Sequence, residues 1–229
     1  MRYFILILLM IASCGSDQML DGDGKLLAGD VLLPAGHYYI DKSIRLAPHA
    51  VLRADGVVIF DGQGKCNNIL IGSSHSRIEG ITFVNGYANG EWPRYNGAAI
   101  FMFHINGMIV RGCNFISNYT RKRGGGIYCF KSSCEVIDCH FEDNVACTRG
   151  AGIHGTQSIL RILNCDFLNN RVTGPLPPNP DNVDAGYGGG IHISNQSHAL
   201  IQGCEFKDNW ALLGHPDVYV GESSSVEWE

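Results

Sequence analysis

The sequence predicts an all-β chain wound into a solenoid of parallel strands, with each turn taking about 26 residues. The first observation is a phrase written four times: RGCNFISN, IDCHFEDN, LNCDFLNN and QGCEFKDN, starting at residues 111, 137, 163 and 202. Its cysteines, Cys113, Cys139, Cys165 and Cys204, are spaced 26, 26 and 39 residues apart, and an insertion reading GPLPPNPDNVDAG accounts for the last gap. The second is a companion phrase in phase with it, ending at Ile100, Ile127, Ile153 and Ile191, 14 or 15 residues before Phe115, Phe141, Phe167 and Phe206. The third is composition: 29 glycines in 229 residues, short β-branched or aromatic runs between turn residues, and no sustained helical period. A repeat of this length stacks like units, none of which can bury its apolar face alone.

Each unit is expected to run from a small-small-small-Ile phrase through a short strand, a turn and a second strand to Cys-x-Phe-x-x-Asn, then into a loop. Three residues before each Cys stand Val110, Val136, Ile162 and Ile201, and one before stand Gly112, Asp138, Asn164 and Gly203. Gly, Asn and Asp tolerate the left-handed backbone, so this position bends the strand and lets the apolar residues on both sides face one interior. Cys and Phe then point inward on either side of a polar residue. Asn118, Asn144, Asn170 and Asn209 are expected to stack at the next bend, bonding backbone groups and one another. Ile78–Phe83 reads as an earlier, degenerate copy. DVLLPAGHYYI and VVIFDGQG read as opening rungs, and DVYVGESSSVEW begins another near the end. An open terminal rung is an unpaired edge, for which a cap or partner is expected.

The bend-Cys-x-Phe-x-x-Asn and GG-x-I phrases resemble the right-handed, single-stranded parallel β-helix proteins of the pectin-lyase-like class. In detail the repeats look most like those of chlamydial-type polymorphic outer membrane proteins. The likeness runs from about residue 27 to the end and implies fold far more than activity, since this scaffold carries lyases, hydrolases, adhesins and spacers. Nothing here could form the C-terminal barrel that those longer outer membrane proteins resemble having.

Residues 1–14, MRYFILILLMIASC, read as a signal peptide whose apolar run is too short to span a bilayer comfortably. Its end looks like a bacterial lipobox with Cys14 as the acylated residue, which implies export and an N-terminal membrane anchor. Residues 15–26 would be a short tether and 27–229 the β-helix domain. The net charge of −5 and the lack of a basic field argue against nucleic acid as a partner. Nothing in the sequence specifies an oligomeric state.

Of the remaining cysteines, the four in the repeat are expected to form a buried column of free thiols. Stacked strands sit ~4.8 Å apart, slightly too far for good disulfide geometry between parallel Cβ vectors. Cys129 and Cys134 flank a tight bend where a bridge is one alternative.

The loops after each Asn should leave the coil at one corner, where binding residues collect. They offer Trp92, Arg94, Tyr95, Tyr119, Arg121, Lys122, Arg123, Arg149, Arg171, Asp181, Asp184 and Tyr187. If the repeat isoleucines face in, Phe101, Tyr128, His154 and His192 face out as a ladder beside that corner. The ladder, walled by basic and aromatic loops, would suit an extended acidic sugar chain. The equal alternative is that the aromatics only stack on one another.

In lyases of the resembled fold the substrate groove lies along such an outward face. Here Tyr128, His154 and His192 would be the acid or base candidates, Arg123 and Arg149 the carboxylate clamps, and Asp181 and Asp184 the ligands of a calcium ion. No catalytic motif is written in the sequence. The favoured reading is a non-catalytic module that binds a polysaccharide or another cell-envelope component and needs no cofactor, with Trp92, Tyr95, Phe101, Arg121 and Tyr187 as contacts. The alternative is a polysaccharide lyase or glycosidase, with calcium if a lyase.

Overall fold

The computed structural model describes residues 25–90, 94–174 and 186–229. The expected leader with Cys14 and almost all of the tether lie outside these residues, as do Trp92, Asp181 and Asp184.

All strand pairs are parallel, and they form three sheets of eight, twelve and five strands. One coil shows how the repeat builds them. Ile127–Phe130 lies in the first sheet. After a turn, Ser133–Ile137 and His140–Glu142 lie in the second. Val145–Ala146 then pairs in the third, and the chain rises to Ile153–Thr156, the next strand of the first sheet. The register joins like to like: Ile127 with Ile153, Val136 with Ile162, Phe141 with Phe167. A right-handed parallel β-helix is therefore the fold.

The strand bend falls where the small or amide residues placed it. Gly112, Asp138, Asn164 and Gly203 have φ of 58°, 54°, 51° and 61°. A second left-handed column, unforeseen, stands just before the asparagines, at Ser117, Asp143, Asn169 and Asp208. It turns the chain from the second sheet into the third.

Inside, Phe83, Phe115, Phe141, Phe167 and Phe206 stack with centroids 4.6 to 5.3 Å apart. Complete burial of one such ring contributes about 1.5–3 kcal/mol. The asparagine column is buried and continuous. Asn118 Nδ2 donates to Asn144 Oδ1 at 3.0 Å, Asn144 Nδ2 to Asn170 Oδ1 at 2.9 Å, and Asn170 Nδ2 to Asn209 Oδ1 at 3.0 Å. Each amide also donates to the carbonyl of a Phe in the preceding coil, as Asn144 does to Phe115 O at 2.8 Å.

Cys113, Cys139 and Cys165 are buried free thiols and Cys204 is a half-buried one, as the strand spacing required. Burial raises the Cys139 thiol well above its ordinary range, so this column is a neutral part of the core.

The two-residue segments after the asparagines are not loop, as expected, but strand. Tyr87–Ala88, Tyr119–Thr120, Val145–Ala146, Arg171–Val172 and Trp210–Ala211 make up the third sheet. Their second residues are small or β-branched and point inward. Ala146, Ala151 and Val172 form a small core of their own there.

Candidate functional site

The outer face of the first sheet carries the expected ladder. Phe101, Tyr128, His154 and His192 are in register on adjacent strands, and Tyr219 continues the column. The rings stack with centroids 5.8, 5.5, 4.8 and 4.7 Å apart. Strand alternation turns them away from the interior cluster, as predicted. The expectation that they are open to ligand is corrected: Phe101 and Tyr128 are 6% and 4% exposed, and both histidines are 0%.

The corner segments fold back over this face. Arg123, Arg149, Tyr187 and Gly214 form a bridged column along the edge of the sheet. Arg149 is buried and Tyr187 stacks on Tyr219 at 4.6 Å. Gly97, Gly150 and Gly188 bring the backbone against Cβ of Tyr128, His154 and His192.

Burial sets the chemistry of the ladder. It raises the Tyr128 hydroxyl, against a smaller downward pull from Arg123. It pushes His154 well below the ordinary imidazole range, and the neighbouring His192, Arg123 and Arg149 add to the effect. His192 is lowered by burial and by the same two arginines. None of the four ring nitrogens has a hydrogen-bond partner among the described residues. This is a neutral, buried stack.

The outer face of the third sheet is different. Tyr87, Tyr119, Val145, Arg171 and Trp210 stand in one registered column on five successive strands. Tyr87 and Tyr119 stack at 4.9 Å, and the Arg171 guanidinium lies 5.6 Å from the Trp210 ring centroid. Arg171 is exposed, Trp210 is 41% exposed, and the rest of the column is half-buried. Cys147 holds the Tyr119 hydroxyl at 3.1 Å, and burial followed by that bond raises the Tyr119 pKa. Arg121 is exposed beside the strip, and Lys122 sits 5.9 Å from the centroid of Tyr95.

Residues 51–210 match the family model described as right handed beta helix region. The chain belongs to that family. No curated protein and no solved structure matches it. Membership fits a carbohydrate-related module.

This β-helix thus divides the residues singled out from sequence into three groups. Phe101, Tyr128, His154, His192, Arg123, Arg149 and Tyr187 come together, with the ladder and Arg149 buried and Arg123 and Tyr187 half-buried. Arg121 lies beside the exposed strip, and the Tyr95 carbonyl accepts a hydrogen bond from Thr120 Oγ1. Trp92, Asp181 and Asp184 are outside the described residues. The strip positions Tyr87, Val145 and Trp210 were missed, although a signal for them existed. Each directly follows a ladder Asn, or Gly86 in the first copy, and precedes a small or β-branched inward residue.

The positions after each Cys, with Thr82 after Ile81 in the first copy, also form a column, Thr82, Asn114, His140, Asp166 and Glu205, on the outside of the second sheet. His140 lies 3.3 Å from Glu142 and 3.8 Å from Asp166, and all three are well solvated. Among the described residues no three His, Cys, Asp or Glu side chains converge on a metal position.

Proposed function

We propose that this β-helix is a non-catalytic module that binds an extended acidic glycan of the cell envelope along the strip Tyr87, Tyr119, Val145, Arg171 and Trp210. The reading rests on one observation: aromatic or guanidinium groups stand in four of five coils of one column on the outer face of the third sheet, with Arg171 and Trp210 exposed. Side chains set one coil apart offer an apolar and polar path along the solenoid axis for an extended sugar chain. Arg171 and Arg121 supply planar donors for carboxylates or sulfates. The covered histidine ladder stays out of contact with a polymer, which disfavours catalysis there.

The lipobox-like end at Cys14 supports attachment to the envelope by acyl chains. Cys14→Ala is then expected to move the protein from the membrane to the soluble fraction.

The test is retention of the mature chain on uronate-containing and neutral polysaccharides, with and without calcium, while unsaturated uronates and new reducing ends are monitored. We expect retention by an acidic glycan and no product. Tyr119→Ala and Trp210→Ala should each weaken binding up to about tenfold, the range of one aromatic contact. Equal binding by both variants refutes the strip. Product formation lost in His154→Ala replaces the binding reading with a lyase or glycosidase.

A further inference from the structure

One turn below the surface, between the first and second sheets, four sulfurs occupy neighbouring core positions. Ile100–Phe103 and Met108–Arg111 carry Met102 and Met108 in one coil. Ile127–Phe130 and Ser133–Ile137 carry Cys129 and Cys134 in the next. Register places Met102 beside Cys129 and Met108 beside Cys134. The same two positions hold Gly155 and Leu160 one coil further on, so the sulfur layer is confined to this place.

The contacts are close. Sγ of Cys129 is 3.3 Å from Sγ of Cys134 and 3.4 Å from Sδ of Met102. Both methionines and Cys129 are 0% exposed. Cys134 is 3% exposed and lies directly behind the turn at Lys131, Ser132 and Ser133. The two cysteines are free thiols, not a bridge. Soft polarizable sulfurs fill irregular core gaps well, and that packing role is the competing explanation.

From this convergence we infer that Cys129, Cys134 and Met102 form a binding site for a soft monovalent d10 cation, copper(I). Thiolate and thioether donors select copper(I) over harder ions. Zinc usually takes four nitrogen, sulfur or carboxylate ligands, and no third His, Cys, Asp or Glu joins this pair among the described residues. Loading requires no oxidant. A thiol that becomes a ligand gives its proton to solvent, the cation keeps its single charge, and the sulfurs part slightly to admit it.

The experiment is anaerobic titration of the reduced, purified chain with copper(I) against a chromophoric copper(I) chelator, followed by X-ray absorption of the loaded protein. We expect one copper per chain in an all-sulfur shell. Cys129→Ser combined with Cys134→Ser should abolish retention. Met102→Leu, a swap of similar volume that leaves the core filled, should weaken it at least tenfold. Cys139→Ser, in the separate thiol column, should leave it unchanged. The inference is overturned if the wild-type chain yields all its copper to the chelator, if the double variant retains copper, or if Met102→Leu binds as wild type.

Discussion

Replacing Asn144 by Ala removes one rung of the buried amide column, and the structure sets the size of the effect. Four hydrogen bonds disappear. The Asn118 amide N–H loses Oδ1 at 3.1 Å and the Asn118 side-chain amide loses the same oxygen at 3.0 Å. Phe115 O loses its donor at 2.8 Å and Asn170 Oδ1 loses one at 2.9 Å. All of the partners belong to residues that are 0% exposed, so bulk water does not reach them.

At about 1–1.5 kcal/mol per bond the loss comes to about 4–6 kcal/mol. That is comparable with the whole stability of an ordinary domain. Asn209→Ala provides the control. Asn209 makes an equivalent set of bonds but is 8% exposed at the last rung, and its amide donates onward to Asp217 rather than to another Asn. Water reaches part of that site, so its loss should be smaller by roughly half. Equilibrium urea unfolding of both variants measures the difference as midpoint shifts at constant slope. The reasoning fails if Asn144→Ala lies within about 1 kcal/mol of wild type, or if Asn209→Ala is the worse of the two.

Two further predictions follow from the packing. His154 and His192 are held neutral in the fold, with pKa values below those of the unfolded chain. The unfolded state therefore takes up protons first, and stability present above about pH 6.5 is lost as pH falls towards the folded values, by up to about 2.7 kcal/mol per pH unit for the pair. Urea midpoints at pH 7.5 and 5 should show this slope, and His154→Phe with His192→Phe should flatten it; an unchanged slope in the double variant removes the assignment. A Cβ on Gly126 would lie 2.7 Å from Gly152 O and 2.9 Å from the Phe141 ring, whereas one on Gly112 meets nothing within 4 Å. Gly126→Ala should therefore destabilise by about 3 kcal/mol or more from overpacking, and Gly112→Ala by only about 1–2 kcal/mol for its left-handed backbone. Thermal melts of the two side by side read this order directly.

Much of the interior was legible from the chain alone. The Cys and Phe positions alternate with polar residues at strand period, and the bend residues Gly112, Asp138, Asn164 and Gly203 are of types that accept a positive φ. Asn is the one residue of the repeat whose amide can both donate and accept along a stack. The third sheet was not legible, because Tyr119–Thr120 and Val145–Ala146 are two-residue strands. Their extended shape comes from pairing with the coils on either side rather than from local preference. The left-handed turn at Ser117, Asp143, Asn169 and Asp208 escaped notice because Ser is an unusual residue there, and the column is stabilised by its neighbours in adjacent coils.

The candidate site shows where that boundary lies. Alternation along a strand correctly sends both the Phe101–Tyr128–His154–His192 column and the Tyr87–Tyr119–Val145–Arg171–Trp210 column outward, because the strand period is a property of the backbone. Sequence period likewise determined the number of residues per coil, the inward ladders and the free-thiol column, since each depends on spacing and on the chemistry of single side chains. Which outward column meets solvent depends on the path of corner segments remote in sequence. Arg123, Arg149 and Tyr187 bridge along the edge of the first sheet, where the histidines are buried, while Arg171 and Trp210 on the third sheet are exposed. That choice belongs to the folded assembly of successive coils, in which a residue's exposure is set by what its neighbours' loops cover.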